Sequence, residues 1–272
     1  YKRQPLELFD EKDSGMNFAF EGKNENILTE DLYFRPTNVT DSTVTMRLAT
    51  NGAGYIDFDY KLLPNTYVVN FSIRANGMQN FFPAAANTVN INWHQRARQL
   101  EKGFSFEQRY TSLTYKPVDK GSDYLNEMKD AKEEVTDRLD WIAFKNQFFS
   151  TAFIADGKFN DGAFTSESFK EGKYLKRFHA ESTIDYDSKE PQVAGFNIFL
   201  GPNSYPLLSS YDDGRSGDQT LDLDKLVPLG YKFFRWINTL IVIPVFTFLG
   251  KFFSNYGVII LSLIHISEPT RQ

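Results

Sequence analysis

The side chains able to do chemistry are few and poorly matched to one another. Three histidines and no cysteine leave no thiolate metal site and no disulfide, and they make a histidine-rich metal centre improbable. His94 and His179 have no sequence neighbour that would complete a catalytic dyad. Asp57 and Asp59 alternate with apolar residues, so both carboxylates point to one face of a strand, where glycosidase-like folds place an acid and a base. Two carboxylates that close repel, and Lys61 shares their face. A solvated polar face is the reading, not a catalytic pair. Asp212, Asp213, Asp218, Asp222 and Asp224 crowd one late polar stretch but miss the D-x-[DN]-x-[DN]-G spacing of a calcium loop. A flexible acidic linker is expected there. No cofactor is implied.

The elements that would position these residues are strands. The chain has 272 residues, enough for one large domain with a sizeable core, and 16% of them are aromatic, 26 Phe and 14 Tyr among them. Val44, Met46 and Leu48 alternate with polar residues, as do Ile56, Phe58, Tyr60 and Leu62, and then Tyr67, Val69, Phe71 and Ile73. Turn signals at Asn51-Gly52 and Leu63-Pro64-Asn65 separate the three runs, which together predict an antiparallel meander. Further strands are expected around 6–9, 17–20, 89–93, 104–115, 139–144, 151–154, 174–184 and 194–200. The one helix candidate in the β region is 122–134, with Ser122 as its cap and Leu125, Met128 and Ala131 on one side; its charge density also permits a solvated loop. Strands without βαβ alternation point to a large antiparallel β-sandwich in a mainly β fold. A net charge of −5 argues against a nucleic-acid partner.

From 223 the character changes. In 229–243, Lys232, Arg235 and Asn238 recur every third residue, while Leu229, Phe233, Trp236, Ile237 and Leu240 fill the remainder. Tyr231, Trp236 and the basic residues suit a helix lying at the polar boundary of a lipid bilayer, with Lys251 at its far end. Pro244 predicts a kink or break. Residues 256–264 are apolar and uncharged but too few to span a bilayer, which takes about 20 residues. The last residues, HISEPTRQ, read as foreign to the protein. Tyr1 is not an initiator Met, and the reading is a chain that begins inside a longer protein. The expected organisation is a β domain over 1–222, a linker and interfacial helix over 223–255, the start of a transmembrane helix over 256–264, and a tail over 265–272.

Three motifs carry a family resemblance. WIAFKNQFF holds Trp141, Phe144, Phe148 and Phe149; GPNSYPLL opens on Gly201 and Pro202 and includes Tyr205; FSNYG stands at 253–257, before the apolar run. In this order the set resembles the long bacterial form of the YidC membrane protein insertase family. The resemblance implies a periplasmic β-supersandwich of the galactose-mutarotase kind, an interfacial helix and the start of the second transmembrane helix. It implies a location at the bacterial inner membrane and partners among nascent membrane proteins and the Sec translocon, with no covalent chemistry. The family's groove arginine is expected beyond 264, so neither Arg271 nor His265 takes that role. The aromatic residues of WIAFKNQFF fit either a partner patch or core, with core the commoner fate. Gly201-Pro202 fits a plain turn at a strand end. The competing readings are a membrane-anchored carbohydrate-binding or carbohydrate-modifying sandwich, whose cleft would show converging carboxylates or a His–Glu pair, and a surface adhesion scaffold.

Overall fold

Alternating apolar residues build two antiparallel sheets that face each other across an aromatic core. The computed structural model describes residues 7–261 apart from 10–11, 53, 80, 84, 188–189, 230–235, 254, 256, 259 and the side chain of 218. Two compact units divide the chain, at 1–226 and 227–272.

In the first unit, among the described residues, the larger sheet has nine strands. They run, edge to edge, β3 (Arg35–Thr37), β4 (Thr43–Ala49), β5 (Tyr55–Leu62), β6 (Val68–Asn76), β15 (Gln192–Pro202), β12 (Phe149–Phe159), β11 (Leu139–Lys145), β8 (Ser112–Pro117) and β9 (Asp123–Tyr124). The smaller sheet has six, in the order β10 (Ala131–Val135), β13 (Gly162–Ser168), β14 (Tyr174–Asp185), β7 (Thr88–Arg98), β1 (Ser14–Phe20) and β2 (Ile27–Leu28). The fold is mainly antiparallel β and sandwich-like, as the alternation predicts. The meander is β4–β5–β6, with Asn65 in the left-handed region at φ 57° in the turn joining β5 to β6.

The rings predicted to alternate inward meet in the middle. Phe196 stacks on Phe71 at 5.6 Å and on Phe153 at 4.5 Å, and Phe18 from the opposite sheet lies 5.6 Å from Phe71. At the other end Trp93 stacks on Phe144 at 3.7 Å. Each such ring is worth about 1.5–3 kcal/mol by burial alone, so this layer dominates what holds the two sheets together.

Several expectations fail for identifiable reasons. The predicted helix over 122–134 is absent. Asp123–Tyr124 pairs with β8, and Ala131–Val135 pairs with β13 in the other sheet. The segment crosses between sheets and closes one edge of each, and those ladder bonds outweigh its modest helix propensity. Conversely, the first part of 104–115 forms a short helix, α1 (Phe104–Gln108), because buried Glu107 accepts from the backbone N–H groups of Leu100 and Glu101 and folds the chain back. No strand precedes β1 among the described residues; Leu8 and Phe9 are in irregular chain and Leu6 lies outside the description.

Asp57 is the clearest correction. It is fully buried rather than solvated. Register places Arg47 of β4 directly beside it on one side and Arg74 of β6 on the other. Arg47 grips Asp57 with two bonds of 2.7 Å, and Arg74 reaches both Asp57 at 3.5 Å and Asp59 at 2.5 Å. Local sequence shows two repelling carboxylates; the sheet inserts a cation on each flank.

Candidate functional site

The outer face of the nine-stranded sheet collects the motif residues. Trp141 lies on β11 with its indole Nε1 donating to the Leu221 carbonyl at 2.6 Å. Leu221 belongs to a strap, 203–226, that contains α2 (Tyr205–Ser210) and ends in a short turn at Leu223–Leu226. Trp141, Phe199, Leu208, Leu223 and Leu226 are all at most 1% exposed, yet none belongs to the core between the sheets. They are buried instead where the strap covers the sheet.

The two β-domain motifs meet here. Pro202 pairs with Phe149 and Gly201 with Ser150, across β15 and β12. Gly201 must be small, since an added Cβ would lie 2.7 Å from the Phe199 ring and 2.8 Å from Tyr67 Cβ. Asn203 stitches the junction: its N–H donates to Phe148 O at 2.7 Å, its Nδ2 to Asn146 O at 2.9 Å, and its Oδ1 accepts from Ser150 Oγ at 2.6 Å. Tyr205 opens α2, with Pro206 in the first turn. Phe144 faces the other way into the core, Phe149 is half-buried, and Phe148 is 50% exposed at the hairpin tip.

The acidic stretch is fastened, not a loose linker. The two oxygens of Asp212 accept from the backbone N–H groups of Leu221 and Asp222, at 2.6 and 2.8 Å. These bonds close the loop that Gly214 and Gly217 turn in the left-handed region. Asp212, Asp222 and Asp224 approach one another closely enough to suggest a cation, but Lys225 supplies one, 2.9 Å from Asp224 and 3.8 Å from Asp222.

A cavity of about 550 Å³ remains between strap and sheet. Its walls include Val68, Ile154, Leu221 and Leu223 together with Asp156, Lys158, Asn197, Tyr211 and Arg215. Two amides and a carboxylate form a chain across three strands: Asn70 Nδ2 donates to Asn197 Oδ1 at 2.5 Å, and Asn197 Nδ2 to Asp156 Oδ1 at 2.9 Å. Burial raises the Asp156 carboxyl above its usual range, against the pull of Arg215 and the Asn197 bond. Lys158 holds a left-handed backbone at φ 68°, and its ammonium bonds to Asp140, which also takes Lys116 at 2.6 Å. Nothing local in the sequence marks Asp156, Asn197, Tyr211 and Arg215 as a group; they come from two strands and the strap.

Among the described residues of the first unit, no strap covers the outer face of the six-stranded sheet. Here an open cleft of about 580 Å³ is lined by Asn17, Asn90 and Asn92 and by Glu30, Glu134, Asp161 and Glu181. His94 and His179 are direct neighbours beside it on β7 and β14, and burial, then the facing His179, lowers the His94 pKa. His179 Nε2 lies 3.1 Å from Asn92 Oδ1 and 3.6 Å from Glu181 Oε1. This is a His–Glu contact in a cleft with other carboxylates. Its two members are successive outward residues of one strand, however, and do not face each other across a space for substrate.

In the second unit Trp236 is exposed on a helical turn, followed by a π turn (Asn238–Val242) and α3 (Ile243–Gly250). Pro244 sits in the first turn of α3, so the expected break takes the form of a change in hydrogen-bond pattern. Leu240, Phe248, Phe252 and Phe253 are exposed, and Lys251 follows α3 in a turn. Tyr231, Lys232, Phe233 and Arg235 lie outside the described residues, as does the tail 265–272. Among the described residues no helix is long and apolar enough to cross a membrane.

A family model described as the YidC periplasmic domain matches residues 1–244. The chain belongs to the YidC family. It is 63% identical over 259 residues to a membrane protein insertase YidC of Phocaeicola vulgatus, covering 95% of this chain and 42% of that protein. Insertases of the same name in Bacteroides fragilis and Parabacteroides distasonis are 43% and 40% identical, each over 96% of this chain. The chain thus spans about 42% of the length of these YidC relatives. Among solved structures, it overlaps a bacterial glucoamylase complexed with acarbose at a TM-score of 0.41 and 10% identity, over 79% of this chain and 31% of that one. It overlaps the α-galactosidase AgaB of Geobacillus stearothermophilus at 0.37 and 7%, over 72% and 31%.

Proposed function

We propose that this chain is the periplasmic part and membrane-proximal segment of an insertase that helps inner-membrane proteins enter and fold in the bilayer, alone or with the Sec translocon. The observation that carries it is the 63% identity to a protein named as such an insertase, over nearly the whole chain. On this reading 1–222 is a periplasmic scaffold without covalent chemistry, the segment 223–255 includes a helix that rides the lipid surface, and 256–264 begins a spanning helix. The exposed apolar residues Trp236, Leu240, Phe248 and Phe252 support the lipid contact. The catalytic work of insertion belongs to the remainder of the protein.

The test is reconstitution. The full-length protein in liposomes is expected to place a single-spanning client in a protease-protected state, while residues 1–272 alone do not. A peptide of 229–253 is expected to co-sediment with the same vesicles. Protection no greater than in protein-free vesicles would overturn the insertase reading. A peptide that stays in solution would overturn the interfacial one.

A further inference from the structure

The cavity beneath the strap has a chemistry of its own. Its floor is apolar, built from Val68 and Ile154 of the large sheet and from Leu221 and Leu223 of the strap. Across that floor stand one acceptor and one donor that are not used on each other. Asp156 spends Oδ1 on Asn197, while Oδ2 lies beside Gly195 and takes no hydrogen bond among the described residues. Among the described residues Arg215 reaches only the carbonyl of Gln219, at a long 3.4 Å, and acts on Asp156 as a charge and not as a bonded partner. The Tyr211 hydroxyl is buried without a hydrogen-bond partner of good geometry, polarised only by the backbone of Tyr67.

This combination selects its ligand. A phosphate or other anion finds, among the described lining residues, one cation not already paired, Arg215, because Lys158 is committed to Asp140, and it meets the Asp156 carboxylate. A lone cation meets Arg215. A peptide unit satisfies both walls: its N–H donates to Asp156, its carbonyl accepts from Arg215 or Tyr211, and flanking apolar side chains cover the floor. The volume, about 550 Å³, accommodates a few residues in extended form. Left-handed Gly214 and Gly217 on either side of Arg215 give the strap room to adjust when it is filled.

We propose that the cavity between the 203–226 strap and the nine-stranded sheet is a binding site for a short extended apolar segment of polypeptide, with Asp156 and Arg215 reading its backbone. That the natural occupant is a segment of a membrane-protein client rests on the insertase reading; the site itself does not.

The experiment uses the full chain in mild detergent and the capped peptide acetyl-Ala-Leu-Phe-Ala-amide, titrated by calorimetry. Saturable one-to-one binding is expected. Arg215→Gln is expected to weaken it about tenfold, the usual scale for losing a hydrogen bond to a charged group. Asp156→Asn is expected to weaken it severalfold while leaving the protein at least as heat-stable, since it removes a desolvated charge. That combination separates a lost ligand contact from a lost fold. No saturable binding by the wild type, or unchanged binding in both variants, overturns the proposal. So does displacement of the peptide by dihexanoyl-phosphatidylethanolamine below its micellar concentration, which would assign the site to lipid. If the peptide binds as expected while the reconstituted protein inserts nothing, the site stands and the insertase reading falls.

Discussion

The two outer faces of this sandwich are treated in opposite ways. The nine-stranded sheet hides its outer face under a strap pinned by Trp141, Leu208, Leu223 and Leu226, all nearly or fully buried. The same face also buries Asp57 within an Arg47–Asp57–Arg74 cross-strand ladder. Among the described residues of the first unit, the six-stranded sheet leaves its outer face without a strap, with asparagines, histidines and carboxylates around an open cleft. A bare polar face can change sequence at little cost in stability. A roofed face cannot, because each buried side chain there has a partner on another segment. The strap runs directly into the 227–272 unit in sequence, so the roofed face is also where the β domain anchors the chain that continues toward the proposed lipid-facing segment.

The strongest way to break this contrast is Trp141→Ala. It empties a fully buried indole site and orphans the Leu221 carbonyl. Large aromatic truncations in cores cost about 3–5 kcal/mol, and in a domain of this size each kcal/mol lowers Tm by roughly 2–4 °C. Urea unfolding should show the loss, and limited proteolysis should cut the strap within 209–221 before the sheets open. Cleavage elsewhere first, with the strap still protected, would mean that Trp141 does not hold it.

How much of this was readable beforehand divides along the same line. The meander β4–β5–β6 announces itself by period-two alternation, because each strand has one core face and one outward face. Trp141 and the GPNSYPLL stretch could be singled out as motifs, but not their meeting, since Asn203 bridges to Asn146 and Phe148 across more than 50 residues of chain. Asp57 misled for the same reason in reverse. Its partners Arg47 and Arg74 are 10 and 17 residues away, and only register brings them alongside. The segment 122–134 misled because its charged residues suit a solvated helix, while what decides its form is two free sheet edges elsewhere. Alternation is a local property; pairing, roofing and charge compensation are not.

Asp57→Ala tests the self-roofed part of that face, and a smaller effect is expected. Removing one member of a fully buried ion pair costs about 3–5 kcal/mol. Here Arg47 and Arg74 keep 34% and 45% side-chain exposure, so both can turn to water once the carboxylate is gone. The expected loss is therefore about 1–2 kcal/mol, measurable as a shift of the urea midpoint. Asp57→Asn should recover part of it by keeping an acceptor for Arg47. A loss as large as that of Trp141→Ala would show that the arginines are trapped, and that this part of the face is as rigidly covered as the strapped part.

The bare face should yield least, and its signature is in pH. His94 is held below the ordinary histidine range by partial burial and by facing His179, with Glu30 acting in the opposite direction. A histidine whose folded pKa is depressed binds its proton more readily in the unfolded chain. Its contribution is therefore fully present above the unfolded value of about 6.5 and is lost as pH falls from there toward the folded value. His94→Gln should leave stability at pH 7.5 within about 0.5 kcal/mol of the parent, the scale of surface substitutions. Between pH 6.5 and 5 it should flatten the decline that the parent shows. Glu30, Glu181 and the His179–Asn92 pair border the same cleft and remain in the variant, so the difference between the two profiles reports His94 together with its coupling to the facing His179. Parallel profiles from pH 7.5 to 5 would show that the cleft is open enough for water to level the two histidines. A drop at pH 7.5 comparable to that of Asp57→Ala would show that this face is structural after all, and the contrast between the two faces would fail.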